Sequence, residues 1–301
     1  MKYGLHIGLL LLGSFVSQSA FAVLNIFACE PEWASLAEIL GGDRVKVVSA
    51  TTAHQDPHRI EARPSLIAKV RRADLLVCSG AELEIGWLPM LQRQAGNRRV
   101  LPGQTGYFEA AAQVERLGIP EKVDRSQGDV HASGNPHVHL DPHRLLGIAS
   151  ALSDRLAILD KPNADHYRSR LDDFSRRWEE ALQRWEDQAL PLKGMRMVVH
   201  HQDWVYLFDW LGMVNAGSLE PKPGLPASAG HLASLRKTLQ DAPASAIIYT
   251  HYQNPKAAKR LSQLTGIPAV ELPYTVGGAD EVVDLFTLFD VTLKRLLEVV
   301  T

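Results

Sequence analysis

Apolar residues in the first third of the chain form short runs that alternate with segments of helical periodicity. They predict strands at residues 24–29, 45–49, 74–78 and 100–101, and helices at 32–40, 64–72 and 82–95. Single strands alternating with helices are typical of a parallel sheet covered by helices on both faces. Ligands of such sheets bind outside the carboxyl ends of the strands.

The same alternation returns in the last third of the chain. It predicts strands at 195–200, 246–250 and 269–272, and helices at 204–211, 230–242, 255–265 and 280–300. Between the two parts lie two helical segments, 142–159 and 164–190. The second carries an apolar stripe at three- and four-residue steps, made of Tyr167, Leu171, Phe174, Trp178, Leu182 and Trp185. About 27 helical residues would reach about 40 Å. We therefore predict an α/β protein of two Rossmann-like lobes joined by one long spine helix.

The predicted domain division follows from these patterns. It comprises a signal peptide (1–22), an N-terminal lobe (23–160), a spine segment (161–192) and a C-terminal lobe (193–301). Residues 103–134 are polar and rich in turn formers, so we expect a mobile loop there. His131, in that loop, is expected to be a solvated histidine rather than a ligand.

The N-terminus has the pattern of an export signal. Lys2 precedes a short apolar core at residues 8–16, and Ala20-Phe21-Ala22 is a small-x-small cleavage site. The apolar core is too short to span a bilayer. No cysteine follows the signal in a lipid-attachment position, so we expect a soluble periplasmic protein that begins near Val23.

Composition narrows the function classes. A formal charge of -2 and a pI of about 6.6 argue against nucleic acid or an anionic membrane as partner. The two cysteines, Cys29 and Cys78, each end a predicted strand. A disulfide, zinc ligation and two buried free thiols all remain open for this pair.

Three of the twelve histidines follow predicted strands or their loops. His58 ends Thr52-Ala53-His54-Gln55-Asp56-Pro57-His58, His137 follows Asn135-Pro136, and His201 ends Met197-Val198-Val199-His200-His201. Adjacent side chains at a strand end point in opposite directions, so only one of His200 and His201 can face a cleft. We assign His201 to the cleft and His200 to a buried or supporting position.

Three neutral imidazoles favour zinc over manganese, which prefers more carboxylate oxygen. Glu61 is a candidate to accept the second N–H of one imidazole. Affinity should then fall as pH drops through about 6.5, the unperturbed histidine value.

Three segments together resemble the solute-binding proteins of zinc and manganese ABC importers. They are Asp56-Pro57-His58-Arg59-Ile60-Glu61-Ala62-Arg63-Pro64-Ser65 with the 73–84 segment, Asn135-Pro136-His137-Val138-His139-Leu140-Asp141-Pro142, and the 201–212 segment. The resemblance covers essentially the whole mature chain. It implies two α/β lobes joined by a long helix, a metal between the lobes, and delivery of that metal to a membrane permease driven by a cytoplasmic ATPase.

The chain departs from that family in two places. The family usually has an aspartate in the turn after its last strand, where this chain reads Glu271-Leu272-Pro273-Tyr274. The fourth ligand is therefore open between Asp280, a water, and another residue such as His139 or Glu281. His139 stands where the family usually has tryptophan, and either an accessory ligand or a pocket histidine fits that position.

The expected function is a monomeric periplasmic receptor that captures Zn²⁺, with Mn²⁺ as the less favoured cargo. Its expected partner is the permease, and whether a zinc metallochaperone loads the site stays open. The alternative is a secreted zinc hydrolase with an open water position on a three-histidine zinc. Against that alternative, the sequence has no His-Glu-x-x-His helix and no glutamate placed as a general base.

Overall fold

A computed structural model of the chain describes residues 23–120 and 131–299. The first lobe is built on a parallel sheet with the strand order β2-β1-β3-β4. Its strands are β1 (Leu24–Ala28), β2 (Val45–Ser49), β3 (Leu75–Cys78) and β4 (Tyr107–Glu109), and its helices are α1 (Pro31–Gly41), α2 (Pro64–Arg72) and α3 (Leu88–Ala95). The predicted signal peptide lies outside the described residues.

The second lobe repeats this topology, with a parallel sheet in the order β6-β5-β7-β8. Two long helices connect the lobes, α4 (Pro142–Leu159) and α5 (Ala164–Ala189). The second lobe comprises β5 (Arg196–Val199), α6 (Val205–Leu211), β6 (Val214–Ser218), α7 (Ala229–Asp241), β7 (Ala246–Thr250), α8 (Lys256–Thr265), β8 (Ala269–Leu272) and α9 (Leu285–Leu297). The predicted fold class is confirmed.

Helix α5 packs against elements of both lobes, since it contacts α1 and α4 as well as α9. Its aromatic stripe is buried in this contact. The Trp178 ring lies 5.1 Å from that of Trp185, and 4.8 and 5.6 Å from those of Phe286 and Phe289 of α9. One hydrophobic core therefore runs from the first lobe through α5 into the second.

The fourth strand of the first sheet was predicted in the wrong place. Val100, predicted to start a strand, ends a 3₁₀ turn (Arg98–Val100) whose first residues are held by the Asn97 side chain, which accepts a hydrogen bond from Arg99 N. The strand is Tyr107–Glu109, within the segment predicted to be a loop. Only Phe108 of this short edge strand is buried, so it gives almost no apolar pattern.

One further strand and the start of two helices also differ from the predictions. Strand β6 was missed because Asn215 and Gly217 interrupt its apolar pattern. Helix α3 begins at residue 88 rather than 82, because Ala81 and Glu82 have φ of 47° and 71°, which no helix allows. The last helix begins only at residue 285, where Asp284 and Thr287 form a capping box.

A disulfide joins Cys29 and Cys78, which settles the open question about the two cysteines. The pair follows β1 and ends β3, which are neighbours in the sheet. In each parallel sheet the strand order switches sides between the two central strands, β1 and β3 in the first lobe and β5 and β7 in the second. The crevice that normally receives ligands therefore lies at this disulfide in the first lobe and after β5 and β7 in the second. No described helix has the length and apolarity that crossing a bilayer requires.

Candidate metal centre

The three histidines selected from the sequence lie together in the cleft between the lobes. His58 comes from the loop after β2, His137 precedes the turn that leads into α4, and His201 follows β5. Their ring centroids are 5.7 Å apart for His58 and His137, 5.6 Å for His58 and His201, and 6.4 Å for His137 and His201. A small cavity of about 70 Å³ lies beside His58 and His201.

Each of the three imidazoles is held at its Nδ1 atom by a neighbouring side chain. The partners are Asp56 Oδ1 for His58 (2.8 Å), Glu220 Oε2 for His201 (2.7 Å) and the Tyr274 hydroxyl for His137 (2.6 Å). A carboxylate only accepts hydrogen bonds, so Nδ1 carries a proton in His58 and His201. This arrangement leaves Nε2 to face the centre of the cluster, as in metal sites whose outer partners orient the ligands.

A buried carboxylate, Asp203, completes the cluster. Its Oδ1 atom lies 3.4 Å from His137 Nε2 and 3.9 Å from His201 Nε2. Its other oxygen accepts a 2.7 Å hydrogen bond from Gln253 Nε2. Asp203 Oδ1 and His137 Nε2 are buried and have no hydrogen-bond partner within the described residues. Such atoms are costly to leave unpaired, and a divalent cation between them would satisfy both.

Asp280, the aspartate considered from the sequence, is not brought to this cluster. It is exposed in the turn after β8, whereas Asp203 is fully buried beside two of the histidines. The family resemblance points to a carboxylate after the last strand, whereas Asp203 lies in the turn after β5. The spacing His201-x-Asp203 in the turn after β5 was the sequence signal that would have found it.

His131 lies against the cluster, contrary to the expectation that it would be solvated. Its Nε2 atom is 3.3 Å from His58 Nε2, and its ring stacks on that of His58 at 5.4 Å. The next residue, Ala132, donates a 2.7 Å backbone hydrogen bond to the carboxylate of Glu82, whose own backbone has the left-handed φ of 71°. The hydrogen bond to Glu82 therefore holds the last residues of the predicted loop at a position where His131 reaches the other nitrogen donors of the cluster.

The supporting residues proposed from the sequence occupy different positions. Glu61, the predicted acceptor of an imidazole N–H, is exposed. Asp56 accepts the hydrogen bond from His58 Nδ1 instead. His139 is fully buried behind His137, where its Nδ1 is 3.3 Å from Glu32 Oε1 and its Nε2 is 3.0 Å from Tyr274 O. His200 is half-buried, and burial lowers its pKa.

The charges around the cluster give its histidines different protonation states. Burial lowers the pKa of His137 well below its usual value, and the neighbouring imidazoles of His58 and His131 lower it further. Burial also opposes the charged form of His201, but Asp203 and Glu220 outweigh it and raise the pKa of His201 to about 9. In the metal-free protein, His201 therefore carries a proton at neutral pH that an incoming cation must displace from Nε2.

Displacement of the His201 proton predicts that zinc affinity depends on pH well above about 6.5, the histidine value used in the sequence analysis. Between pH 7 and pH 8, zinc affinity should rise about tenfold, because one proton is released from His201 per ion bound. Chelator competition at the two pH values, corrected for protonation of the chelator, measures this change. Glu220→Gln should flatten the slope, because it removes a charge that holds the proton. A wild-type affinity that is flat over this range would contradict the assignment.

Nitrogen and carboxylate donors that converge from two lobes define a cation-binding protein with its site in an interlobe cleft. Comparison with known proteins agrees with this class. Residues 26–298 match the family model described as ZnuA, zinc-uptake complex component A, periplasmic. The chain belongs to this family.

Curated relatives resemble the chain over most of its length. A metal ABC transporter substrate-binding lipoprotein, SloC of Streptococcus mutans, is 22% identical over 273 residues, which cover 88% of this chain and 86% of the relative. The manganese ABC transporter substrate-binding lipoprotein PsaA of Streptococcus mitis is 20% identical over 260 residues, covering 86% and 82% of the two chains.

Solved structures show the same fold. A crystal structure of ZnuA superposes with a TM-score of 0.77 at 21% identity and covers 93% of this chain and 100% of that one. The Mn-bound periplasmic metal-binding protein from Candidatus Liberibacter asiaticus superposes with a TM-score of 0.74 at 16% identity, covering 92% and 99%. Family membership makes the chain the metal-binding component of an ABC importer, periplasmic or extracellular, and not an enzyme.

Proposed function

We propose that this protein is a periplasmic receptor that captures Zn²⁺ with high affinity and delivers it to the permease of an ABC importer. The observation that carries the proposal is the convergence of His58, His137 and His201 from both lobes, each with Nδ1 already held by a partner. The ligands we propose are these three Nε2 atoms and Asp203 Oδ1. Three imidazoles and one carboxylate suit tetrahedral zinc.

The composition of the cluster supports zinc rather than manganese. With His131, it offers four imidazoles and a single carboxylate. Manganese is a harder ion that favours sites richer in oxygen, whereas imidazole suits zinc. Several curated relatives are manganese proteins by name, so the family alone does not decide the cargo.

Capture follows from the origin of the ligands. His58 and His137 belong to the first lobe, and His201 and Asp203 belong to the second, so one bound ion joins the two lobes. We propose that residues 23–160 and 193–301 move as units about the spine formed by α5, whose 26 residues extend about 39 Å. The joined form would be the one that docks on the permease.

Metal competition tests the proposed cargo. The mature chain should retain one tightly bound Zn²⁺ against a chelator that strips Mn²⁺, and a large excess of Mn²⁺ should not displace the zinc. Equilibrium dialysis followed by metal analysis measures both ions in the same sample. Tighter binding of Mn²⁺ than of Zn²⁺ would contradict the zinc proposal while leaving the chain a metal receptor.

A further inference from the structure

A second pair of imidazoles crosses the cleft outside the cluster. The rings of His54 and His251 are 4.6 Å apart between centroids, with their planes at 64°. His54 lies in the loop after β2, four residues before His58. His251 directly follows β7 and precedes Gln253, which holds Asp203. The loop that carries His58 and the loop that supports Asp203 therefore bring together a further histidine from each lobe.

The surroundings of this pair leave ring nitrogens available. His54 is exposed and His251 is half-buried. Both nitrogens of His251 are shielded from solvent, and neither makes a hydrogen bond of normal geometry with a described residue, although the backbone of Ala53 is close enough to favour its charged form. A shielded imidazole without a good partner loses the hydrogen bonds that water would provide.

The charge state of His251 is also that of a metal ligand. Burial lowers the pKa of His251, and the adjacent His54 lowers it further, while the carboxylate of Glu271 opposes them and Arg295 adds a smaller lowering effect. Arg295 donates a hydrogen bond to the backbone oxygen of Glu271, which keeps its positive charge near this end of β8. The neutral imidazole, which has a free lone pair, is therefore favoured at neutral pH.

We propose that His54 and His251 form a second, weaker site for a borderline-soft divalent cation, Zn²⁺ or Cu²⁺, at the seam between the lobes. Two imidazoles on one tetrahedral zinc have ring centroids about 5 Å apart at the usual Zn–N distance. The observed 4.6 Å is close to this separation. Water would fill the remaining positions, so the site binds more weakly than the cluster.

The second site has a consequence for release of the cargo. An ion held by one histidine from each lobe opposes separation of the lobes, in addition to the ion in the cluster. At high metal concentration the doubly loaded protein would then release its cargo more slowly than the singly loaded form. This inference does not depend on which ion the cluster prefers.

Zinc stoichiometry of the full mature chain tests the second site. Wild type should bind two equivalents, one tight and one weak. His54→Ala and His251→Ala should each keep the tight equivalent and weaken the weak one by more than about tenfold, as expected when a ligand is lost. His231→Ala is the matched control, since its ring is engaged with the backbone oxygen of Ser218 and it should keep both equivalents. Because His54 is exposed, its replacement leaves the packing intact, and a thermal melt with chelator present verifies folding.

Each outcome decides a different question. A single equivalent in wild type, or a weak equivalent that persists in both His54→Ala and His251→Ala, overturns the second site. Absence of a tightly bound equivalent in wild type would contradict the receptor proposal instead. Cu²⁺ added to a variant that lacks the three cluster histidines gives an independent measurement, because its electron paramagnetic resonance spectrum should show two coordinated nitrogens. A spectrum without imidazole nitrogen would also overturn the second site.

Discussion

Replacing His137 by alanine should weaken zinc binding by about 10²–10³-fold. This factor corresponds to about a quarter of the binding free energy of about 10–16 kcal/mol that is typical of a four-ligand zinc site. His137 is fully buried and its Nε2 has no hydrogen-bond partner in the described structure, so the substitution removes a donor atom that already faces the centre of the cluster. His201→Ala should have a loss of similar size. Chelator competition at fixed pH measures all of these variants.

His58→Ala should cost less than His137→Ala. His131 Nε2 lies 3.3 Å from His58 Nε2 and can move into the vacated position. The double variant His58→Ala with His131→Ala should then lose as much affinity as His137→Ala. His166→Ala is the control, since its ring contacts the backbone of Gly41, remote from the cleft, and its affinity should stay within about twofold of wild type. Equal losses in all of these variants would show that the cluster is not the zinc site.

The second large effect is expected at Asp203. Asp203→Asn preserves the side-chain volume but removes the negative charge that lies 3.4 Å from His137 Nε2 and 3.9 Å from His201 Nε2. Zinc affinity should fall about 10²-fold, because a neutral amide oxygen replaces an anionic ligand. The loss is partly offset because the pKa of His201 also falls when Asp203 is neutralised. A smaller fraction of the molecules then carries the His201 proton that zinc must displace.

Asp280→Asn is the matched control for this substitution. Asp280 is exposed and lies outside the cluster, so its affinity should equal that of wild type within experimental error. A larger loss of zinc affinity in Asp280→Asn than in Asp203→Asn would show that Asp280, the aspartate considered from the sequence, is the carboxylate ligand. It would also imply that the turn after β8 moves onto the metal when zinc binds.

The main lines of the fold could be predicted because buried strands and amphipathic helices leave strong patterns in the sequence. Strand β3 is a continuous apolar run, β1 and β7 are apolar at all but one position, and α5 carries an apolar stripe rich in aromatic residues. The edge strands β4 and β6 could not be found in this way. Strand β4 has only three residues, of which Phe108 alone is buried, and β6 has no buried residue and is interrupted by Asn215 and Gly217. The positions of both strands are fixed by pairing with neighbours remote in sequence.

The candidate site could be predicted only in part. His58, His137 and His201 each follow a recognisable sequence pattern, and the structure brings them together, while their role as ligands stays a prediction. Asp203 and His131 were not predicted, because their approach to the cluster depends on the turn after β5 and on the anchoring of Ala132 by Glu82. The spacing His201-x-Asp203 is a local signal for Asp203, whereas the approach of His131 arises from tertiary packing and leaves no local pattern.

Crystals of the zinc-loaded mature chain, measured at the zinc absorption edge, test the central claim most directly. The account predicts one strong anomalous peak in the cleft, about 2.0–2.1 Å from the Nε2 atoms of His58, His137 and His201. A zinc peak bound by residues of one lobe alone, or a cleft without any peak in protein that carries stoichiometric zinc, would contradict it.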